Sequence, residues 1–267
     1  MGEAKRKKQK IKEMNHRCIF CGGEEIATTE DHCPPKAVFE GKHAPEHFTF
    51  PACEKCNYGT SDDDLLVSFL SKVSQDKDNS GLIKAIRRQF PNLIEKMLNM
   101  GAFESRVLSK KFGLQRISGH TYRENGIVNV TDEMQKAVET LACKLSKAIY
   151  FKETKNIFPL DGAILFQWFT NAQKFEYGSI AILDGLAHIN KHTRELVRNK
   201  KKLHDQFDYG YSVNEEGDLH LFQAVFRDSF GFVTIFSQTT NYLENMRSEI
   251  MEEQNLKNFP FQFLKLN

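Results

Sequence analysis

The chain has 267 residues, 27% of them charged and 40% hydrophobic, with a formal net charge of +2. That length allows one large domain or two ordinary ones, and a charge so near balance does not by itself announce a nucleic-acid binder. No run of eighteen apolar residues is present to span a bilayer, and the basic start lacks the apolar segment and cleavage site of a secretory signal, so a cytoplasmic protein without membrane partners is expected.

Residues 1–15 form a basic arm with Lys5, Arg6, Lys7, Lys8, Lys10 and Lys12. It is either a solvated terminus or a phosphate-contacting segment. Cys18-Ile19-Phe20-Cys21-Gly22 then has the shape of a knuckle turn, and Ile26, Ala27, Thr28 and Thr29 predict a strand leading into Asp31 and His32, ended by Pro34 and Pro35. Residues 36–47 read as a loop and residues 48–51 as an extended segment returning to Cys53 and Cys56. A helical turn is expected near Cys53, exposing Asn57; Ser61, followed by Asp62, Asp63 and Asp64, predicts the N-cap and acidic first turn of a helix reaching about Val73.

Residues 75–81 carry no apolar side chain and read as a linker. Beyond it, apolar residues recur at helical spacing over 82–98, with Pro91 as a break. A hairpin is predicted over 114–130 with its turn at Asn125-Gly126. Thr131 caps the strongest helix, whose stripe is Met134, Val138, Leu141, Leu145, Ala148 and Ile149. Pattern alone leaves residues 163–169 unassigned. Residues 180–183 are a candidate strand, followed by a charged helix ending at Lys200, Lys201 and Lys202. Residues 207–236 alternate as two hairpins, with Phe222, Phe226, Phe230, Phe232 and Phe236 read as core. The expected fold is α+β: a zinc module over 16–74, then a helical and antiparallel-sheet domain over 82–267.

Two Cys-x-x-Cys pairs, Cys18/Cys21 and Cys53/Cys56, have the spacing that tetrahedral zinc takes in treble-clef and zinc-ribbon sites. Cys33 and Cys143, left over, read as packing residues. Between the pairs stand Asp31 and His32. An imidazole titrating near neutrality suits a general base, while the Asp31 carboxylate and the Asn57 amide oxygen suit Mg²⁺ or Mn²⁺. Neighbouring strand residues point to opposite faces, so Asp31 and His32 share a site only where the strand twists or ends.

Cys-x-x-Cys, Asp-His and Cys-x-x-Cys-Asn together resemble the HNH endonuclease family in its zinc-bearing ββα-metal form, over residues 16 to about 72. The resemblance implies hydrolysis of DNA phosphodiesters, RNA remaining open, with His32 as general base, Asp31 and Asn57 holding a catalytic Mg²⁺ or Mn²⁺, and Cys18, Cys21, Cys53 and Cys56 holding structural Zn²⁺. Restriction and phage defence are settings it allows. The family's middle Asn falls on Phe48 here, so a backbone carbonyl, Thr49 or His47 has to orient the base. Residues 82–267 are expected to select targets, bind a protein partner or mediate homo-oligomerisation. The competing expectation is a zinc-dependent nucleic-acid-binding or protein-docking module with a degraded site.

Overall fold

The computed structural model of the chain describes residues 17–72, 80–93, 115–117, 120–122, 130–170, 196–253 and 261–265. The basic arm, most of the linker and the candidate strand at 180–183 lie outside them. Strand β1 (Thr29–His32) pairs antiparallel with β2 (Thr49–Ala52), setting Thr29 opposite Ala52 and His32 opposite Thr49. The strand expected at 26–29 thus starts later and contains Asp31 and His32; Ile26 makes only an isolated bridge to Arg17. Strand β1 stops two residues before Pro34. Helix α1 (Glu54–Tyr58) follows Cys53 directly, and α2 (Ser61–Leu70) follows after a short turn. Thr60, not Ser61, holds the N-cap position of α2, whose first turn carries Asp62, Asp63 and Asp64.

Helix α3 (Ser80–Gln89) begins inside the expected linker and stops ahead of Pro91. Strands β3 (Gln115–Ile117) and β4 (His120–Tyr122) pair with Ile117 opposite His120. The turn predicted at Asn125-Gly126 lies outside the described residues. Helix α4 (Asp132–Thr154) is capped by the Thr131 side chain, which accepts the Met134 N–H, and ends at Lys155 in the left-handed region. All six residues of its expected stripe are buried.

Strand β5 (Ala163–Thr170) resolves the unassigned segment. Strands β6 (Val197–Arg198) and β7 (Lys201–Lys202) form a small hairpin where a charged helix was expected to end. The two predicted hairpins are present as β8 (Asp208–Val213), β9 (Leu219–Phe226) and β10 (Phe230–Ser237). Helix α5 (Thr240–Glu253) and β11 (Gln262–Lys265) complete the antiparallel sheet assembly, in the order β11-β5-β10-β9-β8.

Successive strand residues face opposite ways, and the sheet uses both sides. Ile164, Phe166, Phe222, Phe232 and Phe236 join the main core with α4, while Ala163 and Leu165 join Leu243 of α5 on the other face. The main core is continuous with the N-terminal segment: Cys18, Phe50, Leu66, Leu145 and Phe222 belong to one cluster. Burying each large side chain stabilises by about 1.5–3 kcal/mol, so this shared packing fixes the segment around the cysteines against α4 and the sheet. Among the described residues no helix is long and apolar enough to cross a membrane.

Candidate metal centre and the adjoining cleft

Cys18 and Cys21 sit on a turn closed by the Gly23 N–H donating to the Cys18 carbonyl at 3.0 Å and the Glu24 N–H donating to the Cys21 carbonyl at 3.2 Å. Gly22 takes φ 63°, and a Cβ there would stand 2.5 Å from Leu160 Cγ, so the turn needs glycine for both conformation and space. Cys53 caps α1 by accepting the Cys56 N–H at 3.4 Å. The backbone of two local turns thereby brings all four Sγ atoms within 4.8 Å of one another. Zinc–sulfur bonds of about 2.3 Å place tetrahedral sulfurs about 3.8 Å apart, so these four soft donors fit a metal such as zinc. A hydrogen bond from Cys56 holds the Cys18 thiol down at about 4, while the same bond pushes Cys56 up and burial raises Cys21.

The strand pair builds the second site. Opposite His32 in the register, Thr49 brings Oγ1 to 3.1 Å from the imidazole Nδ1. In the tautomer whose Nδ1–H donates to Thr49, Nε2 is the acceptor nitrogen. Phe48 instead packs edge-on against Phe207 and Phe50 in the core. Asn57, on α1, donates through Nδ2 to Thr29 Oγ1 at 3.0 Å and to the Glu30 carbonyl at 3.3 Å, which fixes its amide against β1 and leaves Oδ1 as its acceptor.

Asp31 is 4% exposed and meets the Lys144 ammonium at 2.6 Å. Lys144 comes from the middle of α4, donates also to Thr60 Oγ1 at 2.8 Å, and lies 5.2 Å from the centroid of the Phe20 ring. Burial pushes the Asp31 carboxyl up more than the ammonium pulls it down. For Lys144, burial acts downward, but the Asp31 and Asp64 carboxylates outweigh it and keep the amine charged. Burial raises Asp64 to about 7, with Lys144 opposing. One turn along α4, Lys147 donates to the Phe20 carbonyl at 2.8 Å, between the two cysteines of the first pair. Burial lowers its pKa while the neighbouring thiols act in the opposite sense. The same helix thus sends one cation to the cleft and one to the thiol cluster.

Asp31, His32, Thr49, Asn57 and Asp64 line one cleft of about 810 Å³, together with Lys36, Lys42 and Arg198. Asp31, His32 and Asn57 thus share the cleft, and the four cysteines share the cluster. Glu30 also lines the cleft, and its Oε1 is buried with no hydrogen-bond partner among the described residues. Cys33, directly after β1, is buried in the main core and Cys143 packs against it, in keeping with packing roles. Lys144 and Lys147 carried no expected role; the available signal was two lysines, three residues apart, on the apolar face of the strongest helix, where an ammonium requires a partner. Compared with protein-family models, with curated proteins and with solved structures, the chain matches none of them.

Proposed function

We propose that the chain is a metal-dependent endonuclease of the HNH type acting on DNA, with residues 16–74 forming a treble-clef, ββα-metal module around structural zinc. One observation carries this reading: an imidazole at 32, a carboxylate at 31 and an amide at 57 line a single cleft beside four clustered thiols. A Mg²⁺ or Mn²⁺ ion held by Asp31 and the Asn57 amide oxygen would supply charge against the phosphoryl and departing oxygens. The buried Glu30 oxygen without a hydrogen-bond partner among the described residues is compatible with such a hard cation.

The chain's own groups do the rest. His32 accepts a proton from the attacking water at Nε2, and Thr49 at Nδ1 keeps the ring in that tautomer and direction. Asn57 presents its amide oxygen because Thr29 and the Glu30 carbonyl hold its nitrogen. Lys144 pairs with the Asp31 carboxylate, holds it in place and opposes the effect of burial on it. The sheet and α4 form the scaffold from which target or partner selection would operate, in restriction or phage defence.

A specific observation favours a second reading. Asp31 already has a buried counter-ion in Lys144, as in a module that keeps its scaffold and binds without cutting. Plasmid nicking with Mg²⁺ or Mn²⁺ separates the two. Wild type is expected to nick, and His32→Ala to lose about 10²- to 10⁴-fold in rate with its zinc retained. Equal inertness of both proteins across divalent ions would leave the binding module.

A further inference from the structure

The β6–β7 hairpin is the most basic described surface beside the cleft. Residues 196–204 read Leu-Val-Arg-Asn-Lys-Lys-Lys-Leu-His, without an acid among them. Leu196 and Leu203 are buried at its base, joined by the Leu203 N–H donating to the Leu196 carbonyl at 2.9 Å, whereas residues 198–202 are exposed. The hairpin is docked on the loop between β1 and β2. The Glu46 N–H donates to the Val197 carbonyl at 3.1 Å, the Asn199 N–H donates to Glu46 Oε1 at 3.3 Å, and Lys201 pairs with Glu40 at 3.7 Å. Nearby acids thus hold the hairpin in place, while Arg198 joins Lys36, Lys42 and His32 in lining the cleft.

The turn itself is unusual. Asn199 at φ 49° and Lys200 at φ 66° both take the left-handed conformation of a two-residue hairpin turn. Glycine is the favoured residue at the second position; a lysine there costs about 1 kcal/mol. Local folding therefore does not explain Lys200, which directs attention to its charge.

We propose that this hairpin is a phosphate clamp for a DNA strand entering the cleft, with Arg198 contacting the backbone inside the cleft and Lys200 a flanking phosphate. The assignment rests on the nuclease reading for the identity of the polyanion, and its geometry comes from the hairpin alone. The test uses the full chain carrying His32→Ala, so that bound DNA stays intact, with Arg198→Gln and Lys200→Gly added singly and together. A fluorescent DNA duplex is titrated at several salt concentrations. Each phosphate contact contributes a slope of about 0.9 in log affinity against log salt, so the combined variant should bind with a slope shallower by about 1.8. Lys200→Gly alone should weaken binding yet melt no lower than its parent, because glycine accepts the turn conformation.

An unchanged slope and affinity in the folded combined variant overturns the clamp and leaves the nuclease reading standing. A weakened Lys200→Gly variant that also melts lower makes Lys200 a structural residue and overturns the clamp as well. Should wild-type nicking prove indifferent to His32→Ala while the slope still falls, the clamp survives and the catalytic assignment does not. A parent with no salt-dependent affinity for DNA sinks both.

Discussion

The thiol cluster and the cleft lie side by side but are built by different means. Each cysteine pair is set by its own turn, through glycines, an N-cap and backbone hydrogen bonds made within a few residues. The cleft instead needs partners far apart in sequence: Thr49 for His32, Thr29 for Asn57, and Lys144 for Asp31. The comparison separates a locally templated thiol cluster from a cleft whose buried carboxylate finds its partner only when α4 is docked.

Breaking the cluster should have the largest effect. Cys53 is both a thiol of the cluster and the cap of α1, so Cys53→Ser is expected to release stoichiometric zinc and remove on the order of 5 kcal/mol or more of stability, read by metal analysis and thermal unfolding. Lys144→Met breaks the cleft instead. It leaves a buried carboxylate without its ammonium, an expected loss of about 3–5 kcal/mol in chemical denaturation, with zinc content unchanged. Adding Asp31→Asn should restore much of that loss; failure to do so would show that the pair is not what ties α4 to β1.

Acidity provides a finer separation. The folded Asp64 carboxyl keeps its proton to about 7, against an ordinary value of 3.8. The native state therefore binds more protons than the unfolded state between these values, and stability falls as pH rises through that window. Asp64→Asn should remove this dependence, gaining roughly 1–2 kcal/mol on wild type at pH 8 relative to pH 4; parallel pH profiles of the two proteins would refute it. The smallest effect belongs to Thr49→Val, which deletes one hydrogen bond to the imidazole. Loss of about 1 kcal/mol of transition-state stabilisation, a several-fold drop in nicking rate at nearly unchanged melting temperature, is expected.

What was legible in the sequence follows the same division. Cysteine spacing, the cap at Thr131 and the period-two alternation of residues 207–236 are local signals, and the corresponding elements formed. Asp31 and His32 were legible because they stand on the short strand between the cysteine pairs, and Asn57 because it directly follows Cys56 on α1. The ion pairs of α4 were not, since no local pattern says which carboxylate Lys144 will meet. Lysines at 200–202 suit a helix end, yet docking on Glu40 and Glu46 overrides that preference and makes a hairpin. Nothing in the pattern anticipated α5 or β11, whose places come from covering the second face and the edge of a sheet.

The attachment of α4 also sets an order of events during synthesis. Lys147 lies 127 residues beyond the carbonyl it grips at Phe20, an interval that takes a ribosome on the order of ten seconds to translate. Through that delay the cysteine turns can already form, whereas Asp31 waits for its counter-charge. A half-made polypeptide therefore carries the cysteine turns before the cleft is finished, and the buried carboxylate gains its counter-charge only after the later helix has left the exit tunnel.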